Sequence, residues 1–145
     1  MLVAAYVPYS PIDDEIIAQV ARTAKAELVT RRGIRTLSPR DVRYKGVYDG
    51  SQNERDLAYH QGSTRPDLLG GYIDMLYRYY GPAMTNRAEY LTEGFIEDMS
   101  KHGVGAFSEL YDGDPPHEAH GAISSACSTA SLLRCEYLIS KNKEA

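Results

Sequence analysis

No stretch of this 145-residue sequence approaches the roughly 20 consecutive apolar residues that a membrane-spanning helix requires. The apolar start, MLVAAYVP, has no basic region before it and is too short for the core of a signal peptide. We therefore predict a cytoplasmic protein with no membrane partner.

Positive charge is also scarce. Sixteen Lys and Arg residues face twenty Asp and Glu residues, which gives a formal net charge of −4, and the basic residues are scattered in ones and twos. A nucleic-acid-binding surface needs a basic face that neutralises phosphates. The charge pattern therefore argues against a nucleic-acid partner.

The sequence has only two cysteines and no tryptophan. Cys127 and Cys135 lie on a predicted helix, about 12 Å apart along its axis at roughly 1.5 Å per residue. A disulfide requires Cα atoms within about 7 Å, so we expect two small, buried, free thiols in a reducing compartment. The twelve tyrosines suit carbohydrate grooves and ordinary helix surfaces equally well, so they do not decide the function.

What the sequence does have is helical periodicity. Apolar residues recur with the 3.6-residue spacing of a helix in four segments, residues 11–33, 66–81, 85–103 and 122–140. Nothing alternates with the period of two that is typical of strands, so we predict an all-α fold with no substantial sheet. In the last segment the predicted packing face holds Ala126, Ala130, Leu133, Tyr137 and Leu138.

Two long segments without a sustained period separate these helices. Residues 34–63 and 103–121 are rich in Gly, Pro, Asp and Ser, and loops of such length in a compact domain are usually functional. Helical hairpins with long loops at one end are the layout of an α/α toroid whose loops carry the site.

The second loop offers three kinds of chemistry. Asp112, Asp114, His117 and His120 have a spacing that can chelate a metal, but Pro115 and Pro116 stiffen the loop and no firm zinc pattern is matched, so we favour a surface loop. Nucleophilic catalysis is disfavoured, because there is no G-x-S-x-G elbow and neither cysteine has a reason to be a thiolate.

Carboxylate chemistry is the third possibility. Glu109 follows a glycine-rich turn, where a carboxylate could activate a water against a sugar ring, or could simply cap or solvate the loop. In the first loop, His60 and Gln61 offer donors and acceptors that suit sugar hydroxyls, or that bond within the loop itself. Local composition leaves both pairs of alternatives open.

Together these stretches resemble a known family. "VPYSPID", "GIRTLSPRDVRYKGVYDG", "ERDLAYHQGSTRP" and "GAFSELYDGDPPHEAHG", in this order and spacing, are similar to the C-terminal part of bacterial and archaeal glycogen debranching enzymes of the amylo-α-1,6-glucosidase family. The resemblance implies an (α/α)6 toroid of which residues 1–145 are about the last third. It also implies hydrolysis of the α-1,6-linked glucose at glycogen branch points by an inverting mechanism.

The same resemblance assigns site residues. Glu109 matches the position of the family's general base, and the residues expected to line the glucose pocket are Tyr59, His60, Gln61, Asp112 and Asp114. An inverting enzyme also needs an acid, which the resemblance places upstream of this chain, so we expect the isolated chain to be inactive. No cofactor and no metal are expected.

Two features of the chain depart from what the resemblance implies. The family's motifs carry tryptophans that this chain lacks, and one of these positions is Arg65. Part of a ring would also expose its interior, which predicts self-association or a partner chain in addition to an α-glucan ligand. The alternative function is a non-catalytic protein that keeps these helices for glycan binding or assembly.

Overall fold

The computed structural model describes residues 2–101 and 103–144. Its α-helices are α1 (Leu2–Tyr6), α2 (Asp14–Thr23), α3 (Gln52–His60), α4 (Leu69–Tyr80), α5 (Thr85–Glu93) and α6 (Ala126–Lys143). A π-helical turn continues α2 over Ala24–Leu28, and short 3-10 turns occupy Pro66–Leu68, Gly81–Met84 and Asp98–Ser100. The strands are β1 (Val29–Thr30), β2 (Gly33–Arg35), β3 (Thr64–Arg65), β4 (Leu110–Tyr111) and β5 (Ala119–His120).

The five strands form one antiparallel sheet in the order β1-β2-β3-β4-β5. Helix accounts for 55% of the structure, so the prediction of an all-α fold, and the partial (α/α)6 toroid that came with it, is wrong. Each strand has only two or three residues, which is too short for alternation with a period of two to show in the sequence.

The sheet joins the two segments that had no helical period. Ile34 in β2 lies opposite Arg65 in β3, and Thr64 in β3 lies opposite Tyr111 in β4. Residues that follow α3 are therefore placed directly beside the strand that follows Glu109. That residues 1–145 belong to a single catalytic domain stays a prediction.

The core is built around α4. One side of this helix buries Leu69, Tyr72, Ile73 and Leu76, and α6 packs against it. The Ser131 hydroxyl accepts a hydrogen bond from the Gly70 N–H at 2.9 Å and donates one to the Pro66 carbonyl at 2.8 Å. Small residues thus allow close helix packing, as the sequence predicted for α6.

The buried face of α6 differs from the predicted one. The residues that it buries are Ser128, Ser131, Leu132, Cys135 and Ile139. Leu133 and Tyr137, on the predicted face, are 66% and 64% exposed. Apolar side chains occur all round this helix, so their spacing alone does not identify the packed face.

Helix α3 lies inside the segment that was predicted to have no regular structure. Ser51 begins it with a capping box, in which its hydroxyl accepts from the Glu54 N–H and the Glu54 carboxylate accepts from the Ser51 N–H at 2.7 Å. Ala58 is the one residue of α3 that is buried, so the helix has no apolar stripe that periodicity could detect.

Both cysteines are free, Cys135 being buried and Cys127 exposed, so the prediction of buried thiols is correct for Cys135 alone. Burial raises the pKa of the Cys135 thiol to about 12. Among the residues that the structure describes, no helix has the length and apolar character needed to cross a membrane.

Candidate functional site

The sheet holds Glu109 immediately before β4. Leu110, the next residue, pairs with His120 in β5, and the Glu109 N–H donates to the Ala122 carbonyl at 2.9 Å. This bond continues the ladder beyond the strand and fixes the backbone of Glu109. Its side chain is half-buried.

The Glu109 carboxylate accepts one hydrogen bond on each oxygen. The Tyr59 hydroxyl donates to Oε1 at 2.6 Å, and the Ala122 N–H donates to Oε2 at 3.1 Å. The bond from Tyr59 lowers the pKa of Glu109 most, and the Ala122 N–H lowers it next. Burial opposes them, and the charge of Arg65 lowers the pKa by a smaller amount. Glu109 is therefore ionised at neutral pH.

Tyr59 and His60 form the last turn of α3. The guanidinium carbon of Arg65 lies 4.8 Å from the centroid of the Tyr59 ring, and the His60 ring meets the same ring edge-on at 4.9 Å. His60 is exposed and Gln61 is half-buried, with the Gln61 carbonyl accepting the Lys45 N–H at 2.7 Å. Glu109 and this end of α3 thus meet across 50 residues of sequence.

Asp112 is more deeply buried than Glu109, with 6% of its surface exposed. Its Oδ1 accepts the Tyr48 N–H at 2.7 Å and lies 3.0 Å from His120 Nε2. The backbone N–H of Asp112 also donates to the Glu118 carbonyl at 2.9 Å. These contacts join Asp112 to the loop before α3 and to the far side of its own loop.

Asp114 makes a second connection to the loop before α3. Its Oδ1 accepts the Tyr44 hydroxyl at 2.8 Å, and its N–H donates to the Gly46 carbonyl at 3.1 Å. Burial and this bond raise the pKa of Tyr44 to about 12. Nearby, Arg35 Nε donates to the Gly113 carbonyl at 2.8 Å. Asp112 and Asp114 together fix the loops around Glu109.

The four residues with chelating spacing do not converge. Asp112 and His120 form a pair, but Asp114 bonds to Tyr44, and His117 Nδ1 lies 2.8 Å from the Asp112 carbonyl oxygen. Within residues 2–101 and 103–144, no three His, Cys, Asp or Glu side chains are grouped so that they could hold a metal ion.

The sequence model of a family described as amylo-alpha-1,6-glucosidase matches residues 1–134, a range that contains all of these side chains. The chain belongs to this family. No curated protein matches the chain. The resemblance to the C-terminal region of glycogen debranching enzymes is confirmed, and the chain is a glycogen debranching enzyme-related protein.

The site of this amylo-alpha-1,6-glucosidase family member contains groups that sequence reasoning missed. Nothing in the sequence indicated that the N–H groups of Ala122 and Tyr48 would donate to the site, because a backbone donor does not require a particular residue type. Arg65 had one signal, since the resemblance described above implies a tryptophan at its position. At this position the structure places a cation against the Tyr59 ring.

Proposed function

We propose that this chain supplies the general base of an inverting debranching α-glucosidase, which releases α-1,6-linked glucose at glycogen branch points. Glu109 is the base. The observation that carries the proposal is the fixed, ionised and half-exposed Glu109 carboxylate, held by Tyr59 and Ala122 in a chain that belongs to the amylo-alpha-1,6-glucosidase family.

The hydrogen bonding of Glu109 is compatible with this role. A carboxylate has about four lone-pair sites, and the bonds from Tyr59 and Ala122 use two of them. An attacking water can donate to one of the others and transfer its proton as it adds to the sugar carbon. The lowered pKa keeps Glu109 in the deprotonated form that can accept this proton.

The acid partner does not come from the loop that carries Glu109. Asp112 accepts from the Tyr48 N–H and lies against His120, while Asp114 accepts from the Tyr44 hydroxyl. Both carboxylates are thus engaged in contacts that hold loops together, and the family resemblance implies an acid upstream of this chain. We therefore place the acid outside residues 1–145 and expect no glucose release from the isolated chain.

The proposed ligand is an α-glucan, glycogen or a limit dextrin. Its terminal glucose would lie against Glu109 and Tyr59, with the exposed His60 and the half-buried Gln61 donating to or accepting from sugar hydroxyls. Asp112 and Asp114 would line the same pocket and hold its loops in place. The cytoplasmic location stays a prediction.

Glucose release tests the base role. Alone, the chain should release no glucose from a limit dextrin, because the acid contributes roughly 10²- to 10⁴-fold. Combined with a second chain that carries the upstream part of a family enzyme, it should release glucose, and Glu109→Gln should reduce that rate by at least about 100-fold. The control is Glu136→Gln, an exposed change on α6.

Two results would contradict this proposal. One is an active combination whose rate does not depend on Glu109. The other is turnover by the isolated chain that Glu109→Gln abolishes, which would place the acid on this chain, with Asp112 and Asp114 as the first candidates.

A second candidate function is non-catalytic assembly. The observation that favours it is the exposed side of α6, where Leu133 and Tyr137 stand one turn apart and project into solvent. A second copy or a partner chain would bury this stripe.

A further inference from the structure

Arg65 is held rigidly beside the base. Its Nε donates to Asp67 Oδ1 at 3.0 Å and its second guanidinium nitrogen donates to Asp67 Oδ2 at 3.3 Å. Such a two-point pair fixes the plane of the guanidinium group as well as its position. The Arg65 and Asp67 side chains are 18% and 26% exposed, so solvent screens the pair only in part.

The fixed guanidinium group lies on Tyr59. Its central carbon is 4.8 Å from the ring centroid, within the range of a cation–π contact. The hydroxyl of the same ring donates to Glu109 at 2.6 Å. Asp67, Arg65, Tyr59 and Glu109 therefore form a continuous series of contacts that runs from the 3-10 turn after β3 to the carboxylate.

The backbone of Arg65 is fixed as well. Arg65 pairs with Ile34 in β2, and its neighbour Thr64 pairs with Tyr111, two residues after Glu109. Arg65 in β3 and Glu109, immediately before the adjacent strand β4, thus lie close in the fold, and Tyr59 at the end of α3 contacts both side chains.

We propose that Arg65 is a positioning residue: held by Asp67, it orients the Tyr59 ring so that the phenol donates to Glu109, and it provides the positive charge that faces this carboxylate. As a statement about catalysis, the inference rests on the proposed role of Glu109 as the base. Among the described residues, the titratable and charged groups that influence Glu109 are Tyr59 from α3 and Arg65 from β3, with Asp67 behind Arg65. Consistent with the geometry, the hydrogen bond to Glu109 raises the pKa of Tyr59 while Arg65 opposes this rise, and the Arg65 charge lowers the pKa of Glu109.

The test is a titration of the Glu109 carboxyl carbon by NMR in the isolated chain. The variants are Arg65→Gln, Tyr59→Phe and the double variant, and the control is Arg134→Gln, which removes an arginine–aspartate pair between α6 and α4. Arg65→Gln should raise the pKa of Glu109. In the Tyr59→Phe background the same change should raise it less, because Arg65 then has no hydroxyl to orient. Arg134→Gln should leave the Glu109 titration unchanged.

An unchanged Glu109 titration in Arg65→Gln would overturn the proposal. An equal shift with and without the Tyr59 hydroxyl would also overturn it, because Arg65 would then act only as a nearby charge. Should Arg65→Gln not fold, Arg65→Lys replaces it. Lysine keeps the charge but lacks the planar guanidinium group that pairs with Asp67 at two points, so the pKa of Glu109 should still rise. An unchanged pKa of Glu109 would contradict the inference.

This titration does not depend on turnover. The expected shifts together with a failed glucose-release test would remove the catalytic role of Glu109 and leave the positioning role of Arg65 intact. Catalysis that depends on Glu109, together with unchanged Glu109 titrations, would remove the positioning role of Arg65 and leave the catalytic role of Glu109 intact.

Discussion

At the scale of the residue, the three acids of "SELYDGD" differ in their surroundings. Asp112 is buried against Tyr48 and His120, and Asp114 is bonded to Tyr44, so both hold loops together. Glu109 is half-exposed, and its two donors leave lone pairs available for a water molecule. Glu109 therefore combines a fixed position with lone pairs that are open to a water molecule.

The lowered pKa of Glu109 predicts a pH-dependent contribution to stability. Because the folded state lowers this pKa from its ordinary value of 4.5, the ionised form stabilises the fold above that value. The contribution is lost as the pH falls through the folded pKa. Glu109→Gln should therefore destabilise the chain most near about pH 7, and the difference should shrink towards about pH 3.

Urea denaturation at a series of pH values measures this difference. Glu136→Gln, an exposed change on α6, serves as the control and should show no such dependence. A destabilisation by Glu109→Gln that stays constant over the whole pH range would contradict the assigned hydrogen bonds.

At the scale of the element, the sheet that joins the two loops is the feature that builds the site. Its close packing depends on Gly33, which has φ +122°, a conformation that side chains disfavour. A Cβ at this position would lie 2.4 Å from the Arg65 carbonyl oxygen. The strand that carries Arg65 can therefore approach β2 only because residue 33 is glycine.

Gly33→Ala should lower the free energy of unfolding by about 3 kcal/mol, since it combines backbone strain with overpacking. Gly105→Ala is the matched control. Gly105 also has a positive φ, +73°, but a Cβ there would meet nothing within 4 Å, so the cost should be about 1 kcal/mol. Equal costs in thermal or urea unfolding would show that β2 and β3 do not pack as described.

The elements that the sequence predicted are those with a long apolar period. Helices α2, α4 and α5 fall within three of the four predicted segments and α6 overlaps the fourth, because each has enough buried residues to show the 3.6-residue spacing. The strands are too short for any period, and α3 buries only Ala58. For α3 the available signal was Ser51 and Glu54, the S-x-x-E pattern of a capping box.

The candidate site was predictable only in part. The motifs "AYHQG" and "SELYDGD" identified the segments, and the structure brings Tyr59 into contact with Glu109. The contributions of Arg65, Tyr44 and the Ala122 N–H depend on which loops the sheet places side by side. Pairings across 50 to 70 residues have no local pattern in a single sequence.

At the scale of the whole molecule, the exposed stripe of α6 predicts association. Light scattering after size exclusion should show a mass above that of the monomer, because burying Leu133 and Tyr137 removes apolar area from water. The double change Leu133→Glu and Tyr137→Glu should restore the monomer, whereas Val42→Glu, in an exposed loop, should not. A monomeric wild-type chain would contradict this prediction.

An NMR titration with a short α-1,6-branched glucose oligosaccharide asks whether Glu109 and the end of α3 form the glucan site of this chain. The signals of Glu109, Tyr59, His60 and Gln61 should shift together as the sugar is added, and Glu109→Gln should weaken the effect. Saturable shifts confined to other surfaces, with these four signals unchanged, would contradict this assignment of the site.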